Sequence, residues 1–369
     1  MSVAAPAGIT VGENITSLHP YRPGKPIEEV QRELGLSEVI KLASNENALG
    51  PSPRALRAIQ VAAESVHLYP NAVARELSEA VSTHLRIPAD HLIFGNGSDD
   101  IIHLLGLTFL APGDEVIQAD PTFVRYEAAA ILNQAVCHKV PLRWWTHDLE
   151  AMAERVNDRT RLIFISNPNN PTGTIVTDAQ VNAFMTQVPD RAIVVFDEAY
   201  FEFVESADFP RSIKYVKNGL NVVVLRTYSK AYGLAGIRLG YGISTPEIIH
   251  HLNQVREPFN VSSIAQAAGV AALEDNDFLQ LTLKMNRDGK ALFHEAFRRL
   301  ELSSAPTEGN FVWVDVGRPC VPVFEALLRK GIIVRTGDIF SAPTHLRVTI
   351  GTADQNERFL NALEEVLKR

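Results

Sequence analysis

Short apolar runs recur between residues 90 and 243 and alternate with stretches of helical character. The runs are continuously apolar and do not alternate with polar positions, which is typical of strands buried on both faces under crossover helices. The pattern therefore predicts an α/β layered domain with a mostly parallel sheet. The predicted strands lie at residues 91–94, 115–117, 161–165, 192–196 and 221–225.

The pattern changes beyond residue 262. Residues 262–302 show a long helical periodicity, and strand candidates follow at residues 311–314 and 346–350, with helices between and after them. These features predict a smaller α+β domain at the C-terminal end of the chain. The proline-rich opening at residues 19–26 has no such periodicity and is predicted to be irregular.

Composition and charge narrow the class of protein. The 369 residues are 46% hydrophobic and 21% charged, as in ordinary soluble globular proteins. The net charge is −8 without a dense run of Lys or Arg, so neither nucleic acid nor an anionic membrane is expected as the main partner. Cys137 and Cys320 lack metal-ligand spacing, and neither a secretory signal in residues 1–17 nor a membrane-spanning apolar run is visible. These observations predict a reduced, cytoplasmic protein.

The first chemical motif follows the predicted strand at 221–225. Ser229 and Lys230 lie on a short loop, followed by closely spaced glycines and Arg238. Open parallel sheets bind ligands at the carboxyl ends of their strands. A lysine that forms an imine, with a hydroxyl and a guanidinium that bind phosphate, suits a cofactor with an aldehyde and a phosphate. The alternative is a surface loop with a solvated lysine.

The second motif is Asp197, at the end of the strand at 192–196, with Tyr200 three residues further on. A carboxylate beneath a cofactor ring can keep a pyridine nitrogen protonated, which makes the ring an electron sink. Tyr200 could reach the ring hydroxyl. The alternative is an Asp that ends a strand and caps a helix.

Two further loops follow strands. Residues 166–173 contain two Asn-Pro steps and a glycine, a stiff turn that could fix the Asn170 amide as a donor to a phenolic oxygen. Residues 95–102 place Gly97 and Ser98 before an apolar helix, where free backbone N–H groups suit a phosphate. The second loop is not a dinucleotide fingerprint, because Asp100 occupies a required glycine position. Each loop could also be purely structural.

In order and spacing, these motifs resemble the fold-type-I pyridoxal-phosphate enzymes, and within them the histidinol-phosphate aminotransferase family. The signature Ser229-Lys230-(x)7-Arg238 and the Asn-Pro-Asn-Asn-Pro-Thr-Gly run carry the resemblance, which extends from residues 41–47 to residues 346–351. It implies a large domain with a mostly parallel seven-stranded sheet covered by helices, and a smaller α+β domain. The domain division that we expect is an N-terminal segment at 1–43, a cofactor domain at 44–262 and a small domain at 263–369.

The resemblance also implies roles for individual residues. Lys230 would hold pyridoxal 5′-phosphate as a Schiff base, with Asp197 at the pyridinium nitrogen. The other cofactor contacts would be Tyr200 and Asn170 at the ring hydroxyl, Phe123 stacked on the ring, and Gly97, Ser98, Asp99, Ser229 and Arg238 at the phosphate. Tyr69 would reach the cofactor phosphate of a neighbouring subunit, which implies a homodimer with shared sites.

Substrate recognition is implied for Tyr21, Asn45, Arg335 and Arg347. Arg347 would bind the α-carboxylate of an amino-acid substrate, and Arg335 a second anion such as a phosphate, because a guanidinium binds either anion with two hydrogen bonds. The alternative for both arginines is a surface ion pair.

The reaction implied by the resemblance is amino transfer between L-histidinol phosphate and 2-oxoglutarate, giving imidazole-acetol phosphate and L-glutamate in histidine biosynthesis. It would run as a ping-pong cycle through pyridoxamine phosphate. An aromatic amino-acid aminotransferase on the same scaffold is the first alternative, and a decarboxylase of a phosphorylated amino acid is the second. A catalytically silent regulatory module is disfavoured by the complete set of lysine, aspartate and arginine.

Overall fold

The computed structural model of the protein describes residues 8–18, 20 and 24–368. Its strands are β1 (Ile40–Lys41), β2 (Leu92–Gly95), β3 (Glu115–Asp120), β4 (Val136–Pro141), β5 (Thr160–Ser166), β6 (Ile193–Asp197), β7 (Val222–Thr227), β8 (Gly240–Ile243), β9 (Ser303–Ser304), β10 (Phe311–Asp315), β11 (Ile332–Ile333), β12 (Arg335–Thr336) and β13 (His345–Thr349). Its α-helices are α1 (Glu13–Thr16), α2 (Ile27–Leu34), α3 (Pro53–Ala63), α4 (Arg75–Leu85), α5 (Ser98–Phe109), α6 (Arg125–Leu132), α7 (Leu149–Ala153), α8 (Asp178–Met185), α9 (Ile213–Lys217), α10 (Pro246–Val255), α11 (Ser263–Leu273), α12 (Asn276–Arg299), α13 (Cys320–Arg329) and α14 (Ala353–Leu367). Short 3₁₀ turns cover Ala89–His91, Phe201–Phe203, Ala235–Ile237 and Asp338–Phe340.

Several helices begin where the sequence supplies a capping side chain. Ser52 and Ser262 accept a hydrogen bond from the third backbone N–H of α3 and α11. Thr177 and Thr352 form reciprocal capping boxes with a glutamine three residues later, at the start of α8 and α14. Such caps satisfy backbone donors that the first helical turn leaves free.

The larger sheet has seven strands in the order β2-β8-β7-β6-β5-β3-β4. Neighbouring strands from β7 to β4 are parallel, whereas β8 runs antiparallel to both β2 and β7. The predicted mostly parallel sheet is therefore confirmed. It is completed by two strands that the apolar runs do not reveal, β4 and β8.

Both faces of this sheet are buried, which explains the continuous apolar runs. Along the central strands, Ile163, Val194 and Val224 contribute to one hydrophobic core. The alternate residues Leu162 and Val195 contribute to a second core on the opposite face. Because successive strand residues point to opposite faces, two-sided burial requires an apolar residue at nearly every position.

The smaller sheet is antiparallel, in the order β12-β13-β10-β9. Its residues Val312, Val314, Leu346 and Val348 pack into a core with side chains of α12, α13 and α14. The other face carries Phe311, Trp313, His345, Arg347 and Thr349. The first four contact residues in loops of the larger sheet, and Thr349 is hydrogen-bonded to Asn45, which follows β1. This second face lies against the candidate site.

The strand candidates at 311–314 and 346–350 are confirmed as β10 and β13. The long helical pattern at 262–302 divides into α11 and α12, with Asp275 accepting a hydrogen bond from the N–H of Phe278 to begin α12. β1 pairs in parallel with β11, so the N-terminal segment is joined to the C-terminal unit. In the described residues, no helix combines the length and the apolar character needed to cross a bilayer.

Candidate active site

A cavity of about 560 Å³ opens at the carboxyl ends of β5, β6 and β7. These strands end at Ser166, Asp197 and Thr227, all of which line the cavity. The structure brings together nine of the residues singled out in the sequence: Ser98, Asp99, Phe123, Asn170, Asp197, Tyr200, Ser229, Lys230 and Arg238. Segments far apart in the chain thus converge where an open parallel sheet is expected to bind its ligand.

Lys230 lies on the loop that follows β7. Its amine donates a hydrogen bond of 3.2 Å to the carbonyl oxygen of Ser44. Burial, followed by the positive charge of Arg347, lowers the pKa of Lys230 from 10.5 to about 8. At pH 7 roughly a tenth of this amine is therefore uncharged and able to act as a nucleophile or a base, far more than for an unperturbed lysine.

Asp197 forms the buried floor of the cavity. The hydroxyl of Tyr126 donates a hydrogen bond of 2.6 Å to its carboxylate, and the backbone N–H of Ala199 donates one of 3.2 Å. Burial raises the pKa of Asp197 from 3.8 to about 6 in spite of these donors. A carboxylate in this position is stabilised by a cation placed above it.

Tyr126 is a site residue that the sequence does not disclose. It lies in α6, fully buried, and its ring stacks on Phe164 of β5 with centroids 4.5 Å apart. Its ring also meets Phe123 edge-on at 5.6 Å. The only signal in the sequence is its position three residues after Phe123.

Tyr200 is held from behind by Asn45, whose side-chain amide donates a hydrogen bond of 2.9 Å to the tyrosine hydroxyl. Asn45 is itself buried and has a left-handed backbone, with φ of 56°. Thr349 of β13 accepts from the Asn45 N–H and donates to its side-chain oxygen. Tyr200, Asn45 and Thr349 therefore form a bonded series between the two sheets.

A cradle for an anion lies at the start of α5. Gly97 precedes this helix with φ of +84°, and a Cβ placed there would lie 2.5 Å from a guanidinium nitrogen of Arg238. Arg238 lies 3.8 Å from the Asp99 carboxylate, and the buried Ser229 is in the same cavity wall. A helix N-terminus, a hydroxyl and a guanidinium in one place suit a phosphate group.

Arg335 and Arg347 are opposite each other on the paired strands β12 and β13. Arg347 is buried, donates 2.7 Å to the carbonyl oxygen of Ala43, and donates to the side-chain oxygen of Asn170. Its guanidinium also lies 5.6 Å from the ring centroid of Phe311. Two cationic side chains thus lie on the face of the smaller sheet that meets the cavity.

Of the other predicted site residues, Gly97, Asn45 and Arg347 adjoin or bind residues that line the cavity, and Arg335 is the cross-strand partner of Arg347. Tyr69 is 83% exposed and stacks on Phe259 with centroids 4.7 Å apart. Tyr21 lies outside the described residues.

Comparison with known proteins gives a consistent result. The model of the family "Aminotransferase class I and II" matches residues 37–363. The histidinol-phosphate aminotransferase of Moorella thermoacetica is 53% identical over 96% of this chain and 92% of its own length, and that of Symbiobacterium thermophilum is 47% identical over 96% and 97%. Among solved structures, the histidinol-phosphate aminotransferase of Sinorhizobium meliloti in complex with pyridoxal-5′-phosphate superposes with a TM-score of 0.90, at 27% identity and 99% coverage of both chains.

Together the fold and the cavity define an aminotransferase of fold type I. The chain belongs to the family of class I and class II aminotransferases. The fold class and the enzyme class predicted from the sequence are thereby confirmed.

Proposed function

We propose that this protein is a pyridoxal-phosphate-dependent aminotransferase that converts L-histidinol phosphate and 2-oxoglutarate into imidazole-acetol phosphate and L-glutamate in histidine biosynthesis. Curated relatives at 42–53% identity over nearly the full length carry the name of this enzyme, and the predicted cofactor and function are confirmed at this level. The structural observation that best supports this proposal is that Lys230, Asp197 and the Gly97–Arg238 cradle converge on one cavity.

The cavity fits pyridoxal phosphate. The partly buried amine of Lys230 would hold the aldehyde, Asp197 would face the pyridine nitrogen, and the phosphate would occupy the cradle, which a Cβ at residue 97 would fill. Phe123 lines the cavity where it would stack on the ring. When bound, the cofactor supplies an electron sink for the negative charge that develops on the substrate carbon bearing the amine.

Proton transfer falls to Lys230. Its Nζ would take the proton from the amine-bearing carbon of the substrate, and its lowered pKa of about 8 suits a base that works near neutral pH. Asp197 would stabilise a protonated ring nitrogen, and the hydrogen bond from Tyr126 favours its ionised form. The side-chain oxygen of Asn170 accepts from Arg347, so its amide nitrogen is the group that would donate to the ring hydroxyl, next to Tyr200.

Two anions must be recognised in turn, the carboxylates of glutamate and the phosphate of histidinol phosphate. Arg347 is our candidate for the α-carboxylate, because its guanidinium is fixed beside Asn170 at the cavity. Arg335, its cross-strand neighbour, is the candidate for the phosphate. Charge-assisted, two-pronged hydrogen bonds make a guanidinium suitable for both. We keep Tyr21 and Asn45 as proposed substrate contacts on the ground of the family resemblance.

A homodimer with shared sites is part of the proposal. The ring of Tyr69 is 83% exposed in the single chain and lies outside its cavity, as expected of a side chain that serves a neighbouring subunit. Mixing a Lys230→Ala variant with a Tyr69→Ala variant tests this. If sites are shared, the mixed dimer regains one intact site and activity appears; an inactive mixture that contains mixed dimers would contradict it.

We also propose that the chain divides into domains, with residues 43/44 and 262/263 as the expected boundaries. A cytoplasmic location is likewise a proposal. Each sheet has its own hydrophobic core, which supports two domains. Ala265, Ala268 and Ala272 of α11 lie in the core of the larger sheet, which argues for a boundary after α11 in place of 262/263. Limited proteolysis that cleaves first near residue 262 would support the expected boundary, whereas first cleavage near residue 274 would support the later one.

A substrate panel on purified protein tests the proposed reaction. L-histidinol phosphate, phenylalanine and tyrosine are each supplied with 2-oxoglutarate, and O-phosphothreonine is supplied without an oxo acid. We expect the highest kcat/KM with histidinol phosphate. Faster turnover of the aromatic amino acids, or release of carbon dioxide from O-phosphothreonine, would overturn the assignment.

A further inference from the structure

The turn at residues 143–146 carries two tryptophans in a conformation that side chains rarely adopt. Trp144 has φ of +53° and Trp145 has φ of +65°. Arg143 and Thr146 exchange backbone hydrogen bonds of 2.9 and 3.0 Å across the turn. This is the geometry of a type I′ turn, whose two central positions favour asparagine and glycine. Strained positions of this kind persist only where the surrounding structure holds them in place.

The two tryptophans differ in what holds them. Trp144 is 87% exposed. Trp145 meets Trp313 edge-on at 5.8 Å and lies over His345 at 4.6 Å, both on the smaller sheet. Its carbonyl oxygen also accepts a hydrogen bond of 2.6 Å from the hydroxyl of Thr174. The contacts that hold the strained turn are therefore those of Trp145.

The residues beneath Trp145 are the immediate neighbours of Arg347. His345 precedes Arg347 by two positions on β13 and so shares its face of the sheet. Trp313 is the direct cross-strand partner of Arg347. Phe340 meets Trp313 edge-on at 6.0 Å, and its ring centroid lies 5.9 Å from the Arg347 guanidinium. A shift of Trp145 would therefore move the packing around Arg347.

Arg347 lies between two attachments of β13, one to the segment that follows β1 and one to a loop of the larger sheet. On one side, Thr349 is hydrogen-bonded to Asn45. On the other side, His345 is covered by Trp145. The first attachment is polar and local to the cavity, whereas the second is aromatic and comes from a surface turn.

We propose that Trp145 is a positioning residue for Arg347. Its ring fixes the His345 end of β13 against the larger sheet, so that the guanidinium stays directed at the carboxylate of the amino-acid substrate. The inference rests on the proposed function only in taking Arg347 as the carboxylate ligand of an aminotransferase. It does not depend on histidinol phosphate being the other substrate.

The test follows the half-reaction with glutamate alone, observed through the absorption of the bound cofactor in the holoenzyme. Trp145→Ala is compared with Trp145→Phe, which keeps an aromatic ring, and with Trp144→Ala as the matched control. We expect Trp145→Ala to raise the half-saturating glutamate concentration at least tenfold with a maximal rate within about threefold of wild type, as for other supporting residues. Trp145→Phe should recover most of the affinity, and Trp144→Ala should behave as wild type. An unchanged half-saturating concentration in Trp145→Ala would overturn the proposal.

A double-mutant comparison separates positioning from a general structural effect. If Trp145 acts through Arg347, Trp145→Ala should reduce kcat/KM for glutamate less than twofold further in an Arg347→Ala background. Equal losses in both backgrounds would contradict the inference. Should Trp145→Ala fail to fold, Trp145→Leu replaces it. A wild-type glutamate affinity in Trp145→Leu would then overturn the proposal. A failure of the proposed function would be seen separately: the wild-type protein would react with glutamate but not with histidinol phosphate.

Discussion

The hydroxyl of Tyr126 lies 2.6 Å from the carboxylate of Asp197, and both groups are buried beneath the cavity. The pair joins α6 to the end of β6 across a separation of 71 residues. Its chemical effect is to favour the ionised carboxylate against burial, which raises the pKa of Asp197 to about 6. A protonated ring nitrogen is stabilised only by the ionised form, so the tyrosine supports the electron sink indirectly.

Tyr126→Phe should therefore slow transamination. A hydrogen bond to a charged group contributes about 1.5–3 kcal/mol, so we expect kcat at pH 7 to fall roughly tenfold or more. Because the pKa of Asp197 would rise further, the defect should diminish as the pH increases. The pH profile of kcat measures this. Tyr215→Phe, which removes a hydroxyl bonded to Asn182, is the control and should leave the profile unchanged.

Asp197→Asn should stabilise the cofactor-free protein and should abolish transamination by the protein with cofactor bound. Burial raises the pKa of Asp197 from 3.8 to about 6, so the folded protein binds more protons than the unfolded chain between these values. Stability then decreases as the pH rises through this window and stays reduced above it. At pH 8 the asparagine variant should be more stable by about 3 kcal/mol, with a smaller gain at pH 5. Thermal unfolding at both pH values checks this, and a less stable variant at pH 8 would contradict it.

Gly97→Ala should weaken cofactor binding through Arg238. The new Cβ would lie 2.5 Å from a guanidinium nitrogen and would displace it from the cradle. We expect the dissociation constant of pyridoxal phosphate to rise at least tenfold, measured by titration of the cofactor-free protein. Gly113→Ala is the matched control, since Gly113 has a similar φ of +87° but open space around it. Both changes should cost about 1–3 kcal/mol of stability through backbone strain, but only the first should affect the cofactor.

Arg347→Ala should raise the KM for glutamate severely. Removal of a buried partner from a charge-assisted pair costs about 2–5 kcal/mol, or roughly 30-fold in KM at the lower end of that range. Arg335→Ala should instead raise the KM for histidinol phosphate and change that for glutamate by less than about threefold. Steady-state kinetics with each substrate varied in turn measures both effects. Equal losses for both substrates in both variants would refute the division of labour between the two arginines.

Lys230→Ala should abolish transamination and the visible absorption of the lysine-linked cofactor. In the wild-type protein, only the uncharged amine attaches the aldehyde. The pKa of about 8 therefore predicts that the attachment rate rises with pH with a midpoint near that value. Stopped-flow absorption measures the rate, and borohydride reduction with peptide mapping identifies the lysine. Turnover retained by the variant, or a label on another lysine, would contradict the assignment.

Much of the fold could be predicted because the central strands are buried on both faces. Residues 162–165, 192–196 and 222–225, which form most of β5, β6 and β7, are apolar throughout, and Asp197 and Lys230 follow two of these runs. β8 was not predicted because its sequence, Gly-Tyr-Gly-Ile, contains two glycines, which are depleted in strands. β4 escaped because it is an edge strand with polar residues such as His138 and Lys139.

The site was predictable where a residue follows directly from a strand end, and less so where it depends on tertiary contacts. Lys230, Asp197 and Ser98 lie on local motifs. Tyr126 supports Asp197 from another helix, and Trp145 reaches β13 from a surface turn, so neither has a pattern in the sequence. Local periodicity indicates which side chains are buried and which face of an element they lie on. Which residues they contact is decided by the packing of the whole chain.

The position of β8, next to the edge strand β2, has a consequence for how the protein is made. β8 lies between β2 and β7, so the helix start at Ser98 and the loop of Lys230 become neighbours only once residues 240–243 have joined the sheet. A chain still emerging from the ribosome holds β2 long before β8 is synthesised, and contacts between such distant segments form late. We therefore expect cofactor capture to follow the completion of the larger sheet.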